Sequence, residues 1–211
     1  LVISGKAEGT LLPVKPGESG VDHGIEWKAH VLIEGETPQT LFRELAKDAI
    51  RFNRKALDFW KPGAVVKMPF GEGAAGLKGW TPMPRDFNQC PGKKTKCIVI
   101  SLSSQFLGFY KDGSLKASFP VSTGIPEYET PAGDYKVLSS SPHGMMKFKK
   151  IFSFTYGVWM RWPLSIGHEI YIHAGDLPGY PASHGCVRLI PRDAYLLFRM
   201  TPISTPVVIA D

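Results

Sequence analysis

Between residues 97 and 121 apolar positions crowd together in a way that predicts three strands in quick succession. Two runs, 97–102 and 105–110, are almost continuously apolar, Lys111-Asp112-Gly113 supplies a hairpin turn, and 115–121 returns as a partner strand. Further strands are expected over 133–138, 152–160 and 169–173, with a closing strand over 205–210. One helix is expected after Pro191, where Ala194, Leu197 and Phe198 fall on a common face. Upstream the pattern differs. Residues 27–33 alternate weakly, so 1–36 reads as an irregular, strand-bearing N-terminal arm. At Thr37-Pro38 the period changes to a helical one, an N-cap followed by proline at the first helical position, and Leu41, Phe42, Leu45, Ala46, Ala49 and Ile50 then share one face. A second helical stretch follows over 51–60, and Pro62-Gly63 turns the chain into a short strand at 64–68.

Composition adds to this outline. With 211 residues the chain has room for one sizeable domain and a small second one. The 22 glycines and 18 prolines suit many short strands and turns, which makes the fold mainly β with few helices. Hydrophobic residues at 43% and charged residues at 21% exclude wholesale disorder. Five glycines and three prolines within 70–96 mark that stretch as a linker, leaving 97–211 as a sheet-rich domain, a small barrel or sandwich. No apolar run approaches the roughly 18 residues a spanning helix needs, so no membrane span is expected. The chain starts Leu1-Val2-Ile3 without a leader pattern, so the expectation is that any signal peptide is already gone from it.

The formal charge of +6 and a pI near 9.2 favour an anionic partner. The basic residues are scattered, though, densest at Lys93-Lys94-Thr95-Lys96 and next at Lys147, Lys149 and Lys150, and no aromatic stacking motif accompanies them. Nucleic acid is therefore not the expected partner, whereas a cell-wall polymer satisfies the charge. Cysteine usage divides the three thiols. Cys90 and Cys97 flank a Pro-Gly-Lys-Lys loop and are able to close a disulfide, which requires an oxidising compartment, and Cys186 is left single.

Candidate chemistry gathers at Ile172-His173-Ala174-Gly175 and at Pro181-Ala182-Ser183-His184-Gly185-Cys186-Val187-Arg188-Leu189. A thiol with an ordinary pKa of about 8.5 becomes a useful nucleophile beside an imidazole or a cation. Two imidazoles are on offer. His184 lies two residues before Cys186 and shares its face in extended backbone, while His173 ends a strand and reaches from across the sheet. Gly185 lets a substrate approach the backbone, and amides near Gly185 and Cys186 can donate to an oxyanion. Arg188, on the same face again, can hold a substrate carboxylate or help stabilise a thiolate. A zinc site built from His173, His184 and Cys186 is the alternative. It is set aside, and no metal is expected, because ligands at i and i+2 without a nearby fourth donor are unusual.

These motifs resemble the L,D-transpeptidases of the YkuD type, over about residues 97–211. Besides Ser183-His184-Gly185-Cys186-Val187-Arg188, the family's strand-turn phrase is recognisable in Val121-Ser122-Thr123-Gly124 and Thr130-Pro131-Ala132-Gly133-Asp134-Tyr135. The resemblance implies a YkuD-like β-sandwich or barrel and Cys186 as nucleophile. It makes His173 the base, oriented by the Ala174 backbone carbonyl, and His184 a supporting group beside the oxyanion hole with Gly185. Ser183 and Arg188 become substrate-binding residues. It further implies no cofactor, peptidoglycan stem peptides as donor and acceptor, acylation by carbapenems, and an extracytoplasmic location in periplasm or cell wall. In that compartment Cys90 and Cys97 are expected to be bonded. The interval from His173 to Ser183 is shorter than in many members. An L,D-carboxypeptidase using the same residues and a non-catalytic peptidoglycan-binding protein are the alternatives, the latter disfavoured by the intact Cys186, His173, His184 and Arg188. Residues 31–69 resemble a LysM-like glycan-binding module, with the opening phrase present only as Gly35-Glu36-Thr37-Pro38. A helical hairpin used only for packing is the other reading of that stretch.

Overall fold

The computed structural model describes residues 13–91, 95–139 and 147–211. Residues 1–12 of the expected arm, and Gly92, Lys93 and Lys94 of the basic loop, lie outside these.

Three layers are stacked on one another, and the central layer explains the most apolar stretches of the sequence. That layer is a five-stranded sheet built from β4 (Lys96–Ser101), β5 (Phe106–Lys111), β6 (Ser114–Pro120), β7 (Gly133–Lys136) and β12 (Pro206–Ala210), in the order β6-β5-β4-β12-β7. A strand covered on both faces reads as a continuous apolar run because alternate side chains enter opposite cores. Ile98, Ile100, Val207 and Ile209 enter one core, and Cys97, Val99 and Val208 enter the other. On the first side lie β8 (Lys150–Ser153), β9 (Val158–Gly167), β10 (Ile170–Ala174) and β11 (Val187–Leu189), a sheet of order β11-β10-β9-β8, together with α3 (Pro191–Met200). Ala194, Leu197 and Phe198 of α3 enter this core, as their spacing predicts. The molecule is mainly β with few helices, in agreement with the expected fold class.

On the second side lies the N-terminal unit: β1 (Ser19–Asp22), β2 (Ile25–Val31), α1 (Pro38–Phe42), α2 (Ala46–Phe52) and β3 (Val65–Pro69), the strands forming an antiparallel sheet of order β1-β2-β3. Ile25, Trp27, Ala49, Phe52, Trp60 and Val66 pack on the central sheet. The apolar faces of this unit are thus engaged in packing. Residues 70–96, composed like a linker, also contribute to this core: Leu77, Trp80, Met83 and Phe87 are buried in it, and Phe87 N–H donates to Gly113 O at 2.7 Å. Their glycines and prolines supply turns between buried anchors.

Three local expectations are corrected. The helix expected from Thr37 to Ile50 is broken, because Arg43 takes a positive φ of 50° and separates α1 from α2 by a 3-10 turn. That break frees α2 to bury Ala46, Ala49 and Phe52. The second helical stretch shrinks to a single 3-10 turn at Leu57–Phe59, since Asn53 and Arg54 end α2 with buried side chains that donate to Lys67 O and Ser104 O. The strand expected at 152–160 is a hairpin, β8 to β9, reversed at Gly157 with φ +64°.

Cys90 and Cys97 are disulfide-bonded with Cα atoms 6.0 Å apart, and Cys186 is free. Closing so short a loop restricts the unfolded chain by about 2.5 kcal/mol in the chain-entropy account. Thiol counting in denaturant without reductant is expected to find one reactive group; three would refute the bridge.

Candidate active site

Parallel pairing of β10 with β11 brings the two sequence motifs together. Ile172 lies opposite Val187 and His173 opposite Arg188, so Cys186, one residue before β11, falls level with Tyr171. Ile172 and Val187 point into the core, which leaves Cys186, Arg188, Tyr171 and His173 on the other face. Strand spacing and rise place the Cys186 and His173 Cα atoms about 8 Å apart.

His173 is 8% exposed, and its Nδ1 lies 2.8 Å from the Ala174 carbonyl oxygen. A carbonyl only accepts, so Nδ1 carries the proton and Nε2 keeps the free lone pair. Burial pulls the imidazole down to about 4, aided by the Arg188 cation and opposed by the Ala174 bond. Burial likewise pushes the half-buried Cys186 thiol up, against smaller downward pulls from the Tyr171 backbone and Arg188. Near neutral pH the resting pair is therefore a thiol and a neutral imidazole, not an ion pair.

The turn before Cys186 is tied down from several sides. Ser183 Oγ donates to Cys186 O at 2.5 Å and accepts from Gly185 N–H at 3.1 Å, while Gly185 itself has φ +105°. Ser183 is 1% exposed, and both of these bonds close the turn. Arg188 Nη1 donates to Ala182 O at 3.1 Å, and its stem lies so close over Gly175 that a Cβ there would come within 3.0 Å. His184 is exposed, with its ring 5.0 Å from both Tyr128 and Tyr156 and nearly parallel to the latter. The β8–β9 turn therefore reaches the site. Among the described residues no cluster of three or more His, Cys, Asp or Glu side chains is able to hold a metal.

Sequence reasoning gave no role to Thr130, whose Oγ1 donates to Gly185 O at 2.8 Å and accepts from Gly124 N–H at 2.9 Å. Nor did it find Gln105, which is buried with φ +52° and grips Thr123 through both ends of its amide. Gly124 was a readable signal, since a Cβ there would come within 1.9 Å of Tyr128 O. A cavity of about 520 Å³ borders this turn at Gly124, Thr130 and Pro181, but neither Cys186 nor His173 lines it.

The sequence profile of the YkuD L,D-transpeptidase catalytic domain matches residues 95–209, more than half of the chain. This chain belongs to the YkuD L,D-transpeptidase family. Among solved structures, an L,D-transpeptidase from Stackebrandtia nassauensis is 26% identical with a TM-score of 0.51, over 58% of this chain and 59% of that one. The chain thus spans under two thirds of that relative's length. An L,D-transpeptidase from Xylanimonas cellulosilytica is 23% identical with a TM-score of 0.57, over 85% of this chain and 97% of that one, a likeness of fold. No curated protein matches the chain.

Proposed function

We propose that this chain is a cysteine-dependent L,D-transpeptidase acting on peptidoglycan stem peptides. The observation that carries the reading is Cys186 and His173 on one face of paired strands, with the His173 Nε2 lone pair free. Nε2 takes the thiol proton as Sγ attacks the carbonyl between the diamino acid at position three and the D-alanine at position four of the stem. As the C–N bond breaks, the same proton passes to the leaving amine and D-alanine departs, leaving a thioester. A side-chain amine of a second stem then attacks the thioester and gives its proton to Nε2. The C–S bond breaks to form a 3→3 cross-link, and the thiol is restored. Backbone amides around Gly185 serve as the oxyanion site, and Arg188 and His184 position the donor. The Cys90–Cys97 bridge supports an extracytoplasmic setting.

Incubation with a disaccharide-tetrapeptide followed by mass spectrometry tests this. Cross-linked dimer supports the transpeptidase, tripeptide alone assigns the chain to carboxypeptidase chemistry, and unchanged substrate refutes both.

The neutral resting pair also fixes a pH profile. With the His173 pKa depressed to about 4, the base stays unprotonated through neutral pH, and kcat/KM for acylation should fall only as pH drops through about 4. A fall centred near the ordinary histidine value would contradict a buried, neutral base. His173→Ala is expected to slow acylation by about 10²-fold or more, and more than Arg188→Ala does, since the arginine only positions.

A further inference from the structure

The segment that carries the chain from His173 to Ser183 is anchored at both ends by the catalytic layers. Gly175 N–H donates to Leu189 O at 2.8 Å, Ser122 Oγ donates to Tyr180 O at 2.8 Å, and Ala182 and Ser183 N–H both reach Thr123 O. The middle is held differently. Lys55 Nζ donates to Pro178 O at 2.7 Å, Ala56 N–H donates to Leu177 O at 2.8 Å, and Lys55 and Pro178 form a β-bridge. All three contacts come from residues just past the end of α2, with Lys55 lying 123 residues before Pro178 in the chain. Gly179, at φ +105°, lies so close that a Cβ would come within 2.9 Å of Asn53 O.

That helix end is a rigid support. Asn53 donates to Ala49 O and Lys67 O and accepts from Lys67 N–H at 2.6 Å, which clamps α2 to β3. The Lys55 carbonyl accepts from Trp60 Nε1 at 3.1 Å. The Lys55 ammonium is turned inward onto the Pro178 carbonyl, and this burial lowers its pKa.

We propose that the N-terminal unit is a positioning element for the reaction, and that Lys55 and the Ala56 amide, by holding Leu177 and Pro178, fix the turn that presents Cys186 to His173. The proposal rests on the transpeptidase reading above. A loop released at its middle shifts the reacting sulfur relative to the base, and misplacement of that kind lowers turnover while donor binding persists.

Four variants separate positioning from stability. Lys55→Met keeps the stem and removes the donor, and Lys55→Arg restores a donor. Ala56→Pro deletes the amide that reaches Leu177 at a residue whose φ of −64° already suits proline. Arg51→Met removes bonds to Ser118 O and Oγ that join the N-terminal unit to β6 without touching the loop. Melting temperature is measured with kcat and KM for D-alanine release from the tetrapeptide. Lys55→Met and Ala56→Pro are expected to lower kcat about tenfold with KM within about twofold, Lys55→Arg to recover most of the rate, and Arg51→Met to lower melting temperature with kcat intact. Wild-type kcat in both loop variants, or equal loss of kcat in Arg51→Met, overturns the positioning role and leaves the transpeptidase reading standing. A wild-type protein that releases no D-alanine overturns both.

Discussion

Replacing Cys186 with alanine is expected to abolish acylation, lowering D-alanine release by about 10⁴-fold or more and removing any covalent adduct with a carbapenem. No other thiol is available to take over, since Cys90 and Cys97 are bonded to one another. His173 left alone can only deprotonate water, a poorer nucleophile held in no defined place. The fold should survive, because a small half-buried side chain gives way to a smaller one and the turn is closed by Ser183 Oγ on the Cys186 carbonyl, a backbone atom the substitution keeps. Intact-protein mass after carbapenem treatment checks the result, and an adduct in the variant would remove Cys186 from the mechanism.

The largest loss of stability is expected far from the thiol, at Asp22. Its carboxylate meets Arg54 Nη1 at 2.5 Å, Arg54 Nη2 at 3.1 Å and Lys67 Nζ at 2.6 Å, all within the core between the N-terminal unit and the central sheet. One anion thus serves two buried cations, and aromatic faces assist it. Arg54 lies 4.9 Å from the Trp80 ring, and Lys67 lies 5.0 Å from that of Trp27. Asp22→Asn leaves both cations facing a neutral amide and should cost about 3–5 kcal/mol in denaturant unfolding at pH 7. The acid behaviour follows with a definite sign. Burial pushes the Asp22 carboxyl up, but Arg54 and Lys67 outweigh it and hold it down at about 2, below its unfolded value of 3.8. Its stabilisation is complete above about pH 4 and is lost as pH falls through 2, whereas Asp22→Asn should lack that component of the acid transition. A variant as stable as the wild type at pH 7 would show that the aromatic faces alone satisfy the cations.

What the sequence made legible was whatever is local. β4 and β12 could be read from unbroken apolar runs, α3 from its spacing after Pro191, and the turn at Ser183–Cys186 from chemistry packed into four residues. Other features depended on partners distant along the chain. Lys55 is an ordinary lysine until Pro178 folds against it, and Arg54 becomes a core residue only when Asp22 and Trp80 surround it. The break at Arg43 defeats periodicity because Leu41, Phe42, Leu45 and Ala46 keep helical spacing across it. The split of β8 from β9 was hidden for a similar reason: residues on both sides of the turn are equally apolar and aromatic. His184 looked nearer to Cys186 by spacing, yet His173 is the buried one and His184 stands between tyrosines.

The order of the central sheet bears on how the protein is made. β12 is synthesised after every other described strand, yet it lies between β4 and β7, parallel to the first and antiparallel to the second. Until it arrives, β4 presents an unpaired edge, β7 lacks its one strand partner among the described residues, and neither core can close over its share of Val207, Val208 and Ile209. A nascent chain is therefore able to pair β1 to β3, β4 to β6 and β8 to β11 among themselves while its central layer stays incomplete. Completion is a late step that pairs Val207 with Ile98 on one side and Tyr135 on the other, contacts distant along the chain of the kind that sets slow folding.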